Sequence, residues 1–161
     1  MAKKVKVKKT LVQQILTKAG ISHTGIQINA LEGEMPQGYE KSQIFKTLAL
    51  LGDKTGPIIG ILPITEHLSE KKLAKISGNK KVSMIPQKDL EKTTGYIHGA
   101  NNPVGIRQKH NYPIFIDQTA LQLNEMIVSA GEVGHSIIIN PQDLASFVKA
   151  EFADILEASN T

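Results

Sequence analysis

The sequence predicts a single domain of mixed α/β (α+β) class, a curved mixed β-sheet or barrel surrounded by short helices. Three observations point there. Short apolar, strand-like runs fill the middle of the chain, helical patterns interrupt them irregularly, and no linker or repeat divides the sequence beyond its first nine residues. The 161 residues suffice for one real core, and 40% hydrophobic against 21% charged residues is ordinary globular material. A regular strand–helix alternation of the dinucleotide-binding kind is not seen. Residues 1–9 are expected to form a basic flexible arm and residues 10–161 the domain.

Taken in order, Thr10 can cap a helix over Leu11–Ala19 that Gly20 ends, since its apolar positions recur at helical spacing. Residues 21–28 alternate weakly as a strand, 29–38 read as loop, and 40–44 suit a helical turn. The run Ile44–Leu51 is apolar on both strand faces, the pattern of a strand buried on two sides. Gly52–Gly56 reads as a hairpin turn into a second apolar strand, Pro57–Pro63. Ser69 caps a short amphipathic helix to Ile76. Val82–Ile85 is strand-like and Gln87–Lys92 helical after Pro86. Further strands are expected at Pro113–Asp117, Glu125–Ser129 and Ser136–Ile139, with Ser129–Ser136 as a glycine-bearing hairpin. Pro141 opens a last helix, and the chain is expected to end helically through Leu156.

Composition removes several functions. There is no Cys, which excludes disulfides, zinc–cysteine sites and a protein thiol nucleophile. The five histidines show no paired metal spacing and no HExxH, so no metal and no cofactor is expected. No GxSxG elbow, P-loop or dinucleotide fingerprint occurs. The lysine-rich start lacks the apolar stretch of a secretory signal, and no segment approaches membrane-spanning length. A soluble, cytoplasmic protein without a membrane partner is expected. The net charge of +4 is uneven: five of 19 basic residues fall in the first nine, leaving 14 against 15 acidic side chains. The folded part therefore lacks the global positive field of an obligate nucleic-acid binder, although Lys71, Lys72, Lys75, Lys80, Lys81, Arg107 and Lys109 suffice for a small phosphate footprint.

Lys46 is the sharpest chemical signal, a cation inside the two-sided strand. A charge there costs free energy unless it pairs or opens into a polar cavity; it reads either as a lysine aimed at an electron-rich ligand or as one snorkelling from a strand end. The small-residue segment Thr94–Gly105 brings exposed backbone amides near a ligand and suits an oxyanion cradle, though a plain loop would use the same glycines. Ser129–Ser136 reads as a hairpin or as a strand end lining a pocket.

Together and in this order, Ile44-Phe45-Lys46-Thr47-Leu48, Gly95-Tyr96-Ile97-His98-Gly99-Ala100 with Pro103 and Gly105, and Ser129-Ala130-Gly131 resemble the YbaK/EbsC family of aminoacyl-tRNA deacylases, relatives of the editing domain of bacterial prolyl-tRNA synthetases. The likeness spans residues 10–157. It implies a mixed barrel-like sheet and a trans-editing activity that cleaves the ester of mischarged tRNA, Cys-tRNA(Pro) above all, with cysteine leaving as a thiolactone. It implies Lys46 as the essential site lysine, Thr47 as the mark of the cysteine-acting branch, and the backbone N–H groups of Gly99 and Ala100 as holders of the substrate carbonyl. Ala100 stands where the family has its second glycine. Tyr96, Asn101, Ser129 and Gly131 are implied as substrate-binding. The implied partners are the aminoacylated 3′ end of tRNA and prolyl-tRNA synthetase. The competing reading is a non-catalytic or regulatory binding module of the same fold.

Overall fold

The computed structural model describes residues 9–28 and 34–158. The arm expected over residues 1–9 lies outside them except for Lys9, as do residues 29–33 of the loop expected at 29–38.

Local chemistry starts and stops the elements where the sequence says. Helix α1, Leu11–Lys18, begins at a reciprocal cap: Thr10 Oγ1 accepts from the Gln13 N–H at 3.2 Å and Gln13 Oε1 accepts from the Thr10 N–H at 3.1 Å. Strand β1 is His23–Ile26, and a 3-10 turn at Lys41–Gln43 leads into β2, Phe45–Gly52. A hairpin returns as β3, Gly56–Pro63, with Gly56 at φ 74°. Helix α2, Glu70–Ser77, is capped by Ser69 and stopped by Gly78 in the left-handed region. Strand β4 (Val82–Met84), α3 (Gln87–Thr94), α4 (Pro103–Lys109) and β5 (Ile114–Asp117) follow. After a 3-10 turn come the β6–β7 hairpin (Met126–Glu132, His135–Ile139), α5 (Pro141–Val148) and β8 (Glu151–Ala153).

Two sheets result. One has the order β4-β2-β3-β5-β8, mixed because β3–β5 and β5–β8 run parallel; the other is antiparallel, β1-β7-β6. The five-stranded sheet is buried on both faces. Ile59 and Ile61 of β3 pack with α1, β6, β7 and α5, whereas Ile58 and Leu62 pack on the other side with Leu73 of α2 and Phe115. The two-sided burial expected from the sequence is thus present. A third cluster, Ile44, Ile127 and Ile138 with Tyr39 against it, sits where the sheets meet, at the parallel bridge Ile44–Ile127. Among the described residues no helix is long and apolar enough to cross a membrane.

Two expectations are corrected. The chain does not end helically through Leu156: Lys149 takes a left-handed conformation (φ 58°), and β8 then pairs in parallel with β5. The buried Asp117 carboxylate fixes this run, accepting from the Ile155 N–H at 3.1 Å and from the Thr119 hydroxyl at 2.6 Å. Nor is Thr94–Gly105 loop throughout, because its end opens α4, with Asn102 as cap and Pro103 in the first turn.

Candidate functional site

Strand pairing leaves a gap, and the gap is the site. Among the described residues strand β4 pairs with Leu50–Gly52 of β2, and the backbone pairing of β6 with this strand is limited to the bridge between Ile127 and Ile44, the residue before β2. The Ala49 carbonyl accepts from the Ile85 N–H at 3.2 Å and the Asp53 N–H donates to the Lys81 carbonyl at 3.1 Å, so odd-numbered residues of β2 turn their backbone groups toward β4. At Thr47, between the Ile85–Ala49 bond and the Ile44–Ile127 bridge, those groups pair with no strand among the described residues. A cavity of about 440 Å³ opens along this unpaired edge, within the range of small-ligand sites. Its walls are Phe45–Ala49 of β2, Ile127–Ser129 of β6, His135 and Ser136 of β7, Met84 and Ile85, Gln87 and Leu90 of α3, and His98, Gly99 and Asn101 of the loop between α3 and α4.

Lys46 is half-buried on this wall, and among the described residues no carboxylate forms an ion pair with it. Desolvation holds its ammonium below the usual lysine pKa. Thr47 is 8% exposed, and its hydroxyl oxygen has no hydrogen-bond partner among the described residues. Neighbours on a strand point to opposite faces; both line the cavity because it follows a bare edge. A cation without a counter-charge and a hydroxyl without a partner each cost stability, and both would be compensated by a polar, electron-rich ligand.

The loop contributes a turn. The Ala100 N–H donates to the Ile97 carbonyl at 3.0 Å, and Gly99 between them has φ 89°, the glycine position of a type II turn. This corrects the reading of Gly99 and Ala100 as two equivalent donors. Ala100 is buried at 3% exposure with its N–H committed to the turn, whereas Gly99 lines the cavity and its N–H has no acceptor among the described residues. Of the other expected residues, Asn101 and Ser129 line the cavity. The Thr94 hydroxyl donates to Asn101 Oδ1 at 2.8 Å, and Ser129 Oγ accepts from the Gly131 N–H at 3.2 Å.

Tyr96 and Gly131 are not on the cavity wall. Tyr96 is packed behind the loop, where a methyl group on Gly105 would overlap its phenol and one on Gly131 would come within 3.4 Å of its ring. Lys109 Nζ lies 4.7 Å from the ring centroid. The pair supports the loop from behind. Sequence reasoning missed Asn102, which is wholly buried, accepts from the Gly105 N–H at 2.6 Å and donates to the Ala100 carbonyl at 3.0 Å. The Asn–Pro pair at a helix start was its available signal. Of the Ser129–Ser136 segment, read from the sequence as a hairpin or a pocket-lining strand end, Ser129, Gly134, His135 and Ser136 are on the cavity wall.

An α+β domain with a pocket on an unpaired sheet edge, one uncompensated lysine and a glycine amide on its wall defines a small-ligand site suited to electrostatic catalysis. Comparison with known proteins identifies which. Residues 30–147 match the family described as "Aminoacyl-tRNA editing domain", and the chain belongs to that family. A protein of Enterococcus faecalis (strain ATCC 700802 / V583), named "Putative Cys-tRNA(Pro)/Cys-tRNA(Cys) deacylase EbsC", is 46% identical over 118 residues, 73% of this chain and 71% of that one. A "Proline--tRNA ligase" of Limosilactobacillus fermentum (strain NBRC 3956 / LMG 18251) is 28% identical over 105 residues, 63% of this chain but only 18% of the ligase. In structure, "a putative trans-editing enzyme for prolyl tRNA synthetase" superposes with a TM-score of 0.76 at 24% identity, covering 91% of this chain and 95% of that one. Both the family and the fold expected from the sequence are therefore established.

The unpaired lysine has a stability consequence. Folding partly desolvates the Lys46 ammonium, so the unfolded chain holds that proton more tightly. The protonated lysine therefore costs stability below its folded pKa, and the cost fades as pH rises from there toward the ordinary 10.5. Lys46→Met is expected to raise the unfolding free energy slightly at pH 7, solvent screening of the half-buried charge keeping the gain small, and the gain shrinks as pH rises toward 10. Denaturant melts of both proteins across that range check it; a less stable variant at pH 7 would show that Lys46 is compensated in the fold.

Proposed function

We propose that the protein is a trans-editing deacylase that cleaves the ester joining a wrong amino acid to tRNA, with Cys-tRNA(Pro) its principal substrate. The observation that carries this reading is the presence of the uncompensated Lys46 ammonium and the unspent Gly99 amide on the wall of one cavity. An aminoacyl ester is already activated, so orientation and charge stabilisation suffice and no protein nucleophile is required. Lys46 anchors the phosphate at the adenosine end or polarises the site, and the Gly99 N–H meets the oxyanion that develops on the ester carbonyl. The name of the 46% identical relative supports cysteine as the amino acid, and the match to a proline–tRNA ligase supports delivery of the tRNA by prolyl-tRNA synthetase.

In the proposed reaction the substrate's cysteine thiol gives its proton to water and attacks its own carbonyl carbon. The C–S bond forms, the ester C–O bond breaks, and the ribose oxygen leaves with a proton from water. The amino acid departs as a thiolactone, which water then opens to cysteine. Ser-tRNA(Pro), which differs by one atom, is expected to survive under conditions that clear Cys-tRNA(Pro). Equal loss of both would make water the attacking group, and loss of neither would favour a non-catalytic binding module.

Thr47 gives a further expected result. Thr47→Val keeps the shape and removes a buried hydroxyl that the fold leaves unpartnered, so stability should hold or rise slightly. If that hydroxyl meets the substrate, kcat/KM for Cys-tRNA(Pro) falls by about tenfold, the worth of one hydrogen bond to a polar ligand. A stability loss with unchanged kinetics would make Thr47 structural.

A further inference from the structure

Beside the cavity, the turn of the β2–β3 hairpin and the segment entering β4 are stitched into one corner. The Asp53 carboxylate accepts from the Lys80 N–H at 2.8 Å and the Lys81 N–H at 3.0 Å. The buried Asn79 side chain accepts from the Lys54 N–H at 2.7 Å and the Thr55 N–H at 3.0 Å. Two separate segments thus hold Lys54, Lys80 and Lys81 together on a pinned backbone. All three side chains are exposed, and among the described residues none of them forms an ion pair; Lys72 and Lys92 are the lysines so engaged. The corner's own carboxylate, Asp53, is taken up by the two amides.

The corner lies on the strand that leads to the site. Lys81 is followed in β4 by Val82, Ser83 and then Met84, which lines the cavity. Three residues of extended chain span about 10 Å, within reach of the unpaired nucleotides next to an ester seated in the cavity. Beyond the basic first nine residues the chain carries 14 basic against 15 acidic side chains, and this corner sets three of those cations, with no ion pair among the described residues, on the strand that leads to the cavity, where phosphates would gather.

We propose that Lys54, Lys80 and Lys81 form a phosphate-binding ledge that holds the backbone of the single-stranded 3′ end of tRNA as it leaves the cavity. The proposal rests on the deacylase reading for what occupies the cavity. It assigns the ledge affinity without sequence selection, because phosphate contacts position a strand and do not read its bases.

The test uses the full chain with K54A/K80A/K81A and a charge-matched control, K9A/K18A/K149N, in which asparagine suits the left-handed backbone at Lys149. Binding of a 3′-end tRNA oligonucleotide and deacylation of Cys-tRNA(Pro) are both measured from 50 to 200 mM salt. The ledge variant is expected to bind at least about tenfold more weakly at low salt, with a slope of log affinity against log salt shallower by about 2, the value for three single-strand phosphates. Its cleavage of cysteinyl-adenosine, which lacks those phosphates, should be unchanged, and the control should bind like the wild type. An unchanged slope, an equal loss in the control, or a loss seen only when prolyl-tRNA synthetase is present overturns the ledge. If oligonucleotide binding changes as expected but no ester is cleaved by the wild type, the deacylase reading fails and the ledge stands; normal cleavage with an unchanged slope gives the reverse.

Discussion

Lys46→Ala is expected to lower kcat/KM for Cys-tRNA(Pro) by about 10²-fold or more, the usual effect of removing one preorganised electrostatic contact in a water-poor site. The fold should not suffer. Lys46 makes no ion pair among the described residues, and burial already disfavours its charge. A residue that costs the fold and helps the reaction gives opposite signs in the two assays, activity down and melting temperature level or up. Thermal melts beside single-turnover deacylation check this directly. Wild-type rates in the alanine variant would remove Lys46 from the mechanism; a melting temperature lowered by ten degrees or so would make it a structural residue instead.

Asn102→Ala should lower stability as well as activity, destabilising the protein by about 2–4 kcal/mol. The wholly buried side chain caps α4 through the Gly105 N–H and ties back to the Ala100 carbonyl. Alanine leaves a donor and an acceptor unpaired in the interior and also removes a helix cap. For a chain of this size the loss corresponds to a fall in melting temperature of about 5–15 °C. Activity should fall with it even where the variant is fully folded, because the tether to Ala100 sets the turn that presents Gly99 to the cavity. Calorimetry together with kcat measured well below the melting point separates the two effects. A variant with wild-type kcat would show that the turn holds Gly99 without Asn102.

The parts of this molecule legible in its sequence are those set by local chemistry. Thr10, Ser69 and Pro141 begin helices where side-chain caps and a first-turn proline place them, and Gly56 turns the hairpin where positive φ is needed. The two-sided apolar pattern around Lys46 correctly located a buried strand, and the misplaced charge in it marked the cavity wall. What could not be read depends on partners distant in sequence. Strand β8 forms because β5 offers an open edge and Asp117 captures the Ile155 N–H; Phe152, Ile155 and Leu156 alone suit a helix equally well. The cavity exists because β4 stops pairing at Leu50 and the backbone pairing of β6 is limited to Ile44, the residue before β2, and neither fact is written in any one segment. The same holds for Ala100. Glycine-rich composition marks exposed amides, but only the fold shows that its N–H closes a turn while that of Gly99 remains open to the site.

The most direct test of the editing assignment is to incubate the purified protein with tRNA(Pro) charged in turn with cysteine, alanine and proline and to follow the surviving ester. Cysteine is expected to be released fastest, and the correctly charged Pro-tRNA(Pro) to persist as it does without protein. Survival of all three esters, or loss of proline as fast as cysteine, would contradict the assignment.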